Sequence, residues 1–426
     1  MSFNAKNDNN RILNWKKLDN VALIFPSSSS KADTHVFRFS CELNEPVDCE
    51  LLQKALDDTI DEFPVFNYVL KRGMFWYYLE KTDLRPIVVE ENRPPCSELY
   101  DINQKKLMYE VSYFGNSINF EIYHVLTDGT GAMHFLRLLV SRYITYKRGY
   151  CELPLDFDAS YNQMEDDAFR RHYSGAHPKN KKKLPKAYVL RGQKFPESRI
   201  GIIRGHMSVK AVLDEARKRG VTMIVLLTAI MICAIAEDIP RRSMHRPVVI
   251  NLPVNLRNYF KSESVRNFFC LVKIGYDFSK RSGEFDDVLA EVKAAFEREI
   301  TPESLEDYMN GWASIESNPF VRISPLWFKD IVLNIAYRLS SNKYTAMLSN
   351  IGILRMPGEC SSHIRSFDVC NGTQKIQACV CSYDDNLSIS FTSAFTSCDI
   401  QRSFFRQLTA MGIEVEISTN LLNGGI

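Results

Sequence analysis

The sequence predicts a mixed α/β protein built from two halves of similar content. Its 426 residues exceed one typical hydrophobic core, and two domains of roughly 150–200 residues are the expected organisation. Strand-like runs of alternating polarity and helix-like runs of period 3.6 follow one another in both halves, and a polar, charged stretch at 156–200 lies between them. We therefore expect an N-terminal subdomain at 1–175, a crossover linker at 176–200 and a C-terminal subdomain at 201–426.

The first half opens with two strand-like runs, at 19–25 and 35–41, and the second alternates clearly. A helix follows, because Asp48 is a suitable N-cap and apolar residues then recur at helical spacing until Pro64. Further strands are predicted at 73–81 and 86–91.

The pair Gly115-Asn116 predicts the turn of a hairpin. The second strand of this hairpin ends near His124. From Ala132 onward, apolar residues at helical spacing predict an amphipathic helix.

The second half repeats this mixed pattern. It contains β-branched runs that predict strands, helical patterns between them, and one helix that is apolar on all sides. The predicted helices lie at about 210–219, 221–236, 284–299, 324–340 and from Asp399, and the predicted strands lie at 246–257, 268–278, 344–390 and 412–418.

Composition excludes several functional classes. The net charge of +2 provides no global field that would recruit nucleic acid or acidic lipid. The apolar segment at 221–236 is shorter than the ~20 residues that cross a bilayer, so a buried core helix is expected and no transmembrane segment. The basic run at 177–186 indicates either a solvated linker or a contact with a ligand phosphate.

Cysteine usage and the N-terminal stretch bear on the compartment. The eleven cysteines include no CxxC pair, and the polar start of the chain shows no signal-peptide pattern. Reduced thiols in the cytoplasm are therefore expected. The sequence also lacks HExxH, GxxxxGK[ST], GxGxxG and GxSxG, which leaves metalloprotease, nucleotide-hydrolysing, dinucleotide-binding and serine-hydrolase chemistry without support.

One stretch carries a chemical pattern: "HVLTDGTG" at 124–131. His124 comes where a predicted strand ends, and Asp128-Gly129 follow four and five residues later, before a helix. A neutral imidazole can take a proton from a hydroxyl group near pH 7. From this pattern alone, a catalytic base and a structural histidine remain equal alternatives.

"HVLTDGTG" resembles the HxxxDG motif of the chloramphenicol acetyltransferase-like superfamily, which includes condensation domains and alcohol acetyltransferases. Three further elements resemble the family in the expected order: "LDNVALIF" at 18–25 with the helix after it, "NLPVNLR" at 251–257 and "SNIG" at 349–352. The resemblance therefore extends over most of the chain and favours a catalytic His124.

The resemblance implies two related subdomains that form a pseudo-dimer with an active-site tunnel at their interface. His124 would act as general base on an alcohol that attacks an acyl-CoA or a carrier protein's phosphopantetheine thioester, with no bound cofactor and no metal. Asp128 would be structural and pair with Arg257, and Gly129 would serve the turn. Tyr123 stands where many condensation domains carry a second histidine, which favours ester formation over peptide formation.

Three residues are possible tunnel-lining positions: Tyr123, Ser349 and Asn350. For Ser349 and Asn350, a strand end with a polar turn is an equally good interpretation. The leading hypothesis is an alcohol acetyltransferase-like O-acyltransferase that uses acyl-CoA. A carrier-protein-dependent acyltransferase or condensation enzyme, and a non-catalytic carrier-binding module, are the alternatives.

Overall fold

The computed structural model describes residues 15–149, 164, 166–173, 186–196, 199–317 and 323–421. Within these ranges lie three sheets and eleven helices, and two hydrophobic cores, each formed mainly by one half of the chain. The predicted mixed α/β class is therefore confirmed.

The first half contains a five-stranded and a three-stranded sheet. Its elements are β1 (Trp15–Lys17), α1 (Phe25–Ser28), β2 (Val36–Leu43), α2 (Cys49–Ile60), β3 (Tyr68–Arg72), β4 (Tyr77–Lys81), β5 (Val89–Glu90), β6 (Tyr109–Phe114), β7 (Ser117–Tyr123), α3 (Gly129–Arg148) and α4 (Ala168–His172).

The second half is organised around a seven-stranded sheet of order β10-β9-β11-β13-β14-β8-β15. Its elements are β8 (Gly201–Ser208), α5 (Val209–Lys218), α6 (Met223–Glu237), β9 (Val248–Asn255), β10 (Phe269–Tyr276), α7 (Phe285–Glu299), α8 (Pro302–Ser317), α9 (Leu326–Ser341), β11 (Ala346–Ile353), α10 (Gly358–Ser361), β12 (Ile364–Asn371), β13 (Ile376–Tyr383), β14 (Asn386–Ser393), α11 (Asp399–Ala410) and β15 (Glu416–Thr419).

One strand of the second half belongs to the sheet of the first. β12 pairs antiparallel with β2, so the five-stranded sheet has the order β12-β2-β7-β6-β5. The boundaries 1–175, 176–200 and 201–426 stay a prediction. Much of the crossover, including nearly all of the basic run 177–186, lies outside the described residues.

The strand predicted at 19–25 is wrong. Residues 20–24 form turns and Phe25–Ser28 form α1. Asp19 explains the difference, because its carboxylate accepts a hydrogen bond from the Ala22 backbone at 2.7 Å and closes a turn. An apolar run with strand-like propensity is overridden here by a local side-chain hydrogen bond.

The apolar helix α6 is a core helix, as its length predicts. Most of its side chains are buried, and it packs against α5, α7, α11 and β9. No single described helix is long and apolar enough to cross a membrane. The pair α5 and α6 would suffice by length and composition together, but a bend of 84° separates them.

Nine described cysteines are free thiols, and most of them are buried. Cys360 is the exception among the described cysteines, because it forms a disulfide. The expectation of reduced thiols in the cytoplasm stays a prediction.

Close packing of α11 on β8 generates a stability prediction. A Cβ atom on Gly205 of β8 would lie 2.3 Å from the ring of Phe405, a buried residue of α11. Gly205→Ala should therefore lower the free energy of unfolding by about 1–3 kcal/mol, measured by urea denaturation. Gly358→Ala is the matched control: a Cβ there meets no atom within 4 Å, and stability should be unchanged.

Candidate active site

His124 lies directly after the last residue of β7. β7 pairs with β2, and the register continues past the strand end, because the His124 backbone N–H donates to the carbonyl of His35 at 2.9 Å. Four residues then connect to α3. The sheet therefore fixes the backbone of His124, and the predicted strand–loop–helix setting is present.

Asp128 holds both ends of this connection. Its Oδ1 accepts hydrogen bonds from the backbone N–H groups of Thr130 (3.1 Å) and Gly131 (3.3 Å), which makes it the N-cap of α3. Its Oδ2 accepts from Arg257 Nη1 at 2.7 Å and from the Phe268 backbone at 2.9 Å. The carboxylate thus joins the loop of the first half to the segment at 257–268 of the second.

The guanidinium group of Arg257 donates hydrogen bonds to backbone carbonyls and to the Asp128 carboxylate. Its Nε and Nη2 donate to the carbonyl of Ser264 at 3.0 and 2.8 Å, and Nη2 also donates to the carbonyl of Arg266 at 2.5 Å. The Asp128 and Arg257 side chains are only 7% and 10% exposed. The structure therefore brings together the two residues that the resemblance implied as an ion pair, and their hydrogen bonds go to partners other than the imidazole.

The two glycines of the motif leave room for close packing, and neither adopts a backbone conformation that favours glycine. Gly129 is the first residue of α3, and neither Gly129 nor Gly131 has a positive φ. A Cβ on Gly131 would lie 2.1 Å from Thr127 Oγ1 and 2.4 Å from the Val265 carbonyl, whereas one on Gly129 would lie 3.1 Å from Ile351. Gly131 is therefore the sterically required glycine, and the turn role expected for Gly129 is corrected.

Asn267 fixes the orientation and the tautomer of His124. Its Nδ2 donates to the His124 carbonyl (3.0 Å) and to Asp19 Oδ2 (3.1 Å), and acceptors on both sides determine which way the amide points. Its Oδ1 consequently faces His124 Nδ1 at 2.9 Å. Because this oxygen only accepts, Nδ1 carries the proton and Nε2 presents its lone pair.

Nε2 has no hydrogen bond to any described residue. The imidazole is partly exposed and lies among aromatic rings: Phe25 stacks on it at 5.0 Å, Phe37 lies at 4.8 Å and Phe269 at 5.4 Å between ring centres. This apolar cage leaves Nε2 as the polar atom of the ring that is available to a ligand.

Burial lowers the pKa of His124 from its ordinary value near 6.5. The negative charge of Asp128 and the hydrogen bond to Asn267 act in the opposite direction and do not outweigh burial. The imidazole is therefore neutral at pH 7, which is the state that a general base requires.

Asp19 extends the hydrogen-bonded chain from His124 through Asn267, because it accepts a bond from the Asn267 amide. It is fully buried, and burial raises its pKa to about 6, although Arg266 Nε at 3.8 Å opposes the shift. The sequence reasoning missed Asn267 and Asp19. A single sequence contains no motif that links them to His124, because they are 143 and 248 residues from their partners.

The three predicted tunnel-lining residues are placed differently from one another. Tyr123 is 1% exposed, stacks on Tyr100 and contacts Ser29 Oγ at 2.8 Å through its hydroxyl group, so its side chain belongs to the core. Asn350 is exposed and accepts from the backbone of Gly352, as in a polar turn. Ser349 is buried in β11.

Among the described ranges, no three His, Cys, Asp or Glu side chains group together as metal ligands.

The Asp128–Arg257 pair generates a prediction for stability. Asp128→Asn keeps the size of the side chain but leaves the buried guanidinium of Arg257 without an anion, and breaking such a pair costs about 3–5 kcal/mol. Urea denaturation should show this loss. The control Asp399→Asn removes an exposed partner of Arg402 and should cost under about 1 kcal/mol. An equal effect of both variants would contradict the structural role.

Comparison with known proteins gives matches in structure. No protein-family model matches the sequence, and no curated protein sequence matches it. A structure of trichothecene 15-O-acetyltransferase from Fusarium sporotrichioides is similar, with a TM-score of 0.62, 12% identity, and coverage of 93% of this chain and 94% of the other.

Two further structures extend this likeness. The starter condensation domain of rhizomide synthetase, in a variant complexed with C8-CoA, gives a TM-score of 0.63, 12% identity and coverage of 95% and 96%. Polyketide synthase associated protein 5 from Mycobacterium tuberculosis gives 0.58, 14% identity and coverage of 92% and 96%. The chain therefore has the fold of these three proteins, as its sequence resemblance predicts.

Proposed function

We propose that the protein is a cytoplasmic O-acyltransferase that moves an acyl group from a thioester to an alcohol. The observation that carries the proposal is the state of His124: its Nδ1 proton is held by Asn267, and its Nε2 lone pair is unpartnered in an aromatic cage. The fold shared with an O-acetyltransferase and with condensation domains supports the same reaction class.

The reaction needs one base and no covalent enzyme intermediate. Nε2 accepts the proton of the acceptor hydroxyl as its oxygen attacks the thioester carbonyl carbon. The tetrahedral intermediate then expels the thiolate, which takes the proton back from Nε2. The new C–O bond replaces the C–S bond, the products are an ester and a thiol, and the imidazole returns to its neutral state.

The surroundings of His124 support both halves of this proton transfer. The lowered pKa keeps Nε2 free to accept a proton at pH 7, while Asn267 Oδ1 and the nearby charge of Asp128 favour the imidazolium that forms transiently. Gly129 and Arg257 act in this scheme by position alone. The Asp128 carboxylate contributes its charge but accepts no proton, since it is bonded to Arg257 and to backbone N–H groups.

The donor in the proposal is acyl-CoA. The comparison structure bound to C8-CoA supports a CoA thioester, and a phosphopantetheine thioester on a carrier protein presents the same reactive group. Both donors are therefore tested together with small alcohols as acceptors.

The activity test uses purified protein, acyl-CoAs of increasing length and a panel of alcohols and amines, with products identified by mass spectrometry. We expect an ester from the wild-type protein and a loss of about 10²–10⁴-fold in His124→Ala, because the general base is removed. His245→Ala, which alters an exposed histidine, is the control and should retain activity. Ester formation that survives His124→Ala would overturn the proposed role.

If no CoA donor gives a product but an acylated carrier protein does, the donor is a carrier-protein thioester. Absence of product with both donors from a folded protein would exclude the proposed activity and favour a non-catalytic binding module.

The positioning role of Asn267 is tested by the pH dependence of kcat/KM. Asn267→Leu removes the bond that holds the Nδ1 proton, so kcat should fall by about 10²-fold through loss of orientation. Because that bond raises the pKa of His124, its loss should also move the acid limb of the profile to lower pH. A fall in kcat with an unmoved acid limb would indicate a merely structural effect.

A further inference from the structure

The outward side of α9 is apolar, which is the reverse of an ordinary surface helix. Its exposed large side chains recur every three to four residues along the helix and are between 46% and 61% exposed. We refer to them as the outer face of α9: Trp327, Phe328, Ile331, Val332, Ile335 and Leu339.

Polar contacts on the inward side fix this orientation. Asp330 accepts from Ser27 Oγ (2.8 Å) and Tyr77 (3.2 Å), and Asn334 donates to the carbonyl of Ser27 (2.9 Å). One turn further, Tyr337 donates to Asp33 at 2.7 Å. Rotating the helix to bury its apolar face would break all of these bonds, so the exposure is built into the packing.

The tip of the β3–β4 hairpin continues the same surface. Met74 and Phe75 are 76% and 42% exposed, and the Met74 carbonyl accepts from the backbone of Leu326, the first residue of α9. Lys329 Nζ donates to the Phe75 carbonyl and lies 3.5 Å from the centre of the Trp76 ring. Hairpin tip and helix are thereby held as one unit.

The outer face of α9 is as large as the largest apolar patches on ordinary monomers, which are often functional. Half-exposed side chains of this type contribute roughly 100 Å² each, so the outer face of α9 alone presents on the order of 600 Å². Contiguous apolar patches of that size mark interaction sites.

The exposed charged residues of α9, of the residues directly after it and of the hairpin tip are basic. Arg338 and Lys343 are exposed, and the exposed Arg72 pairs with Asp330 at 3.5 Å. Within 323–343 the sole acidic residue is Asp330, which is held against Ser27 and Tyr77, and the hairpin tip at 72–76 has none. A second copy of the chain would bring the same positive charge against itself, whereas an anionic lipid surface complements it.

We infer that the outer face of α9 and the tip at Met74 and Phe75 form a docking surface for a lipid bilayer. Trp and Phe at one end of an apolar helix face, with Arg and Lys at the margin, are the side chains that settle at the boundary between headgroups and acyl chains. An isolated interfacial helix turns its polar side to water, whereas the polar side of α9 packs against the rest of the protein.

This inference does not depend on the proposed acyl transfer. α9 packs on α1, and Phe25 of α1 stacks on His124. In the docked protein, α9 and α1 would therefore lie between the lipid surface and the imidazole. His124→Ala should bind vesicles as the wild-type protein does, which separates failure of the docking surface from failure of the catalytic proposal.

The test is flotation of the full chain with vesicles of phosphatidylcholine and phosphatidylserine at 3:1, and with phosphatidylcholine alone. We expect the wild-type protein to float with the mixed vesicles, and the variant Trp327→Gln/Ile331→Gln/Ile335→Gln to lose about tenfold or more of that binding. The control Ile87→Gln/Phe114→Gln/Ile417→Gln alters three equally exposed apolar residues elsewhere and should float unchanged. Circular dichroism melting verifies that every variant is folded.

Three results would overturn the inference. The folded wild-type protein could stay unbound with both vesicle types. The α9 variant could float as well as the wild type, which would place any lipid binding elsewhere. Light scattering without vesicles could show a dimer that the α9 variant loses, which would assign the surface to a second copy.

Discussion

The carboxylate of Asp128 joins the two halves of the molecule at the point where the imidazole must be held. One oxygen caps α3, and the other accepts from Arg257 and from the backbone of Phe268. A buried carboxylate is tolerated only when its acceptor positions are filled, and here partners from both halves fill them. The connection that carries His124, the start of α3 and the segment that delivers Asn267 are consequently fixed relative to one another.

Asn267 depends on that arrangement. Asn267 directly precedes Phe268 in the chain, so the hydrogen bond from the Phe268 backbone to Asp128 also fixes the backbone position of Asn267 relative to His124. From there its amide reaches the His124 ring, the His124 carbonyl and Asp19. The tautomer of the imidazole thus follows from a contact between halves, since no residue near His124 in the chain bonds to Nδ1.

Two opposing effects set the charge state of the site. Burial among Phe25, Phe37 and Phe269 disfavours the imidazolium, while Asp128 and Asn267 favour it, and burial has the larger effect. At Asp19 burial also wins over the neighbouring Arg266. Near pH 7 the imidazole is therefore uncharged, while Asp19, with a pKa of about 6, is mostly ionised. The neutral imidazole suits a base that must gain and lose one proton in each turnover. α1 connects this cage to α9, because Phe25 and Ser27 are two residues apart and face the two sites.

The sequence alone determined the mixed α/β class, the core helix at 221–236 and the hairpin that ends at His124, because periodicity and turn chemistry act over a few residues. The pairing of Asp128 with Arg257 was predicted by the resemblance to a family, since the two residues lie 129 positions apart. Tertiary structure decided the rest. The turn at 19–25 replaced a predicted strand because Asp19 bonds to the Ala22 backbone, β12 crossed into the first sheet, and Gly131 proved to be the glycine that close packing requires. Asn267 and the outward face of α9 were invisible in the sequence, since both arise from contacts between segments far apart in the chain, whose geometry only the folded protein fixes.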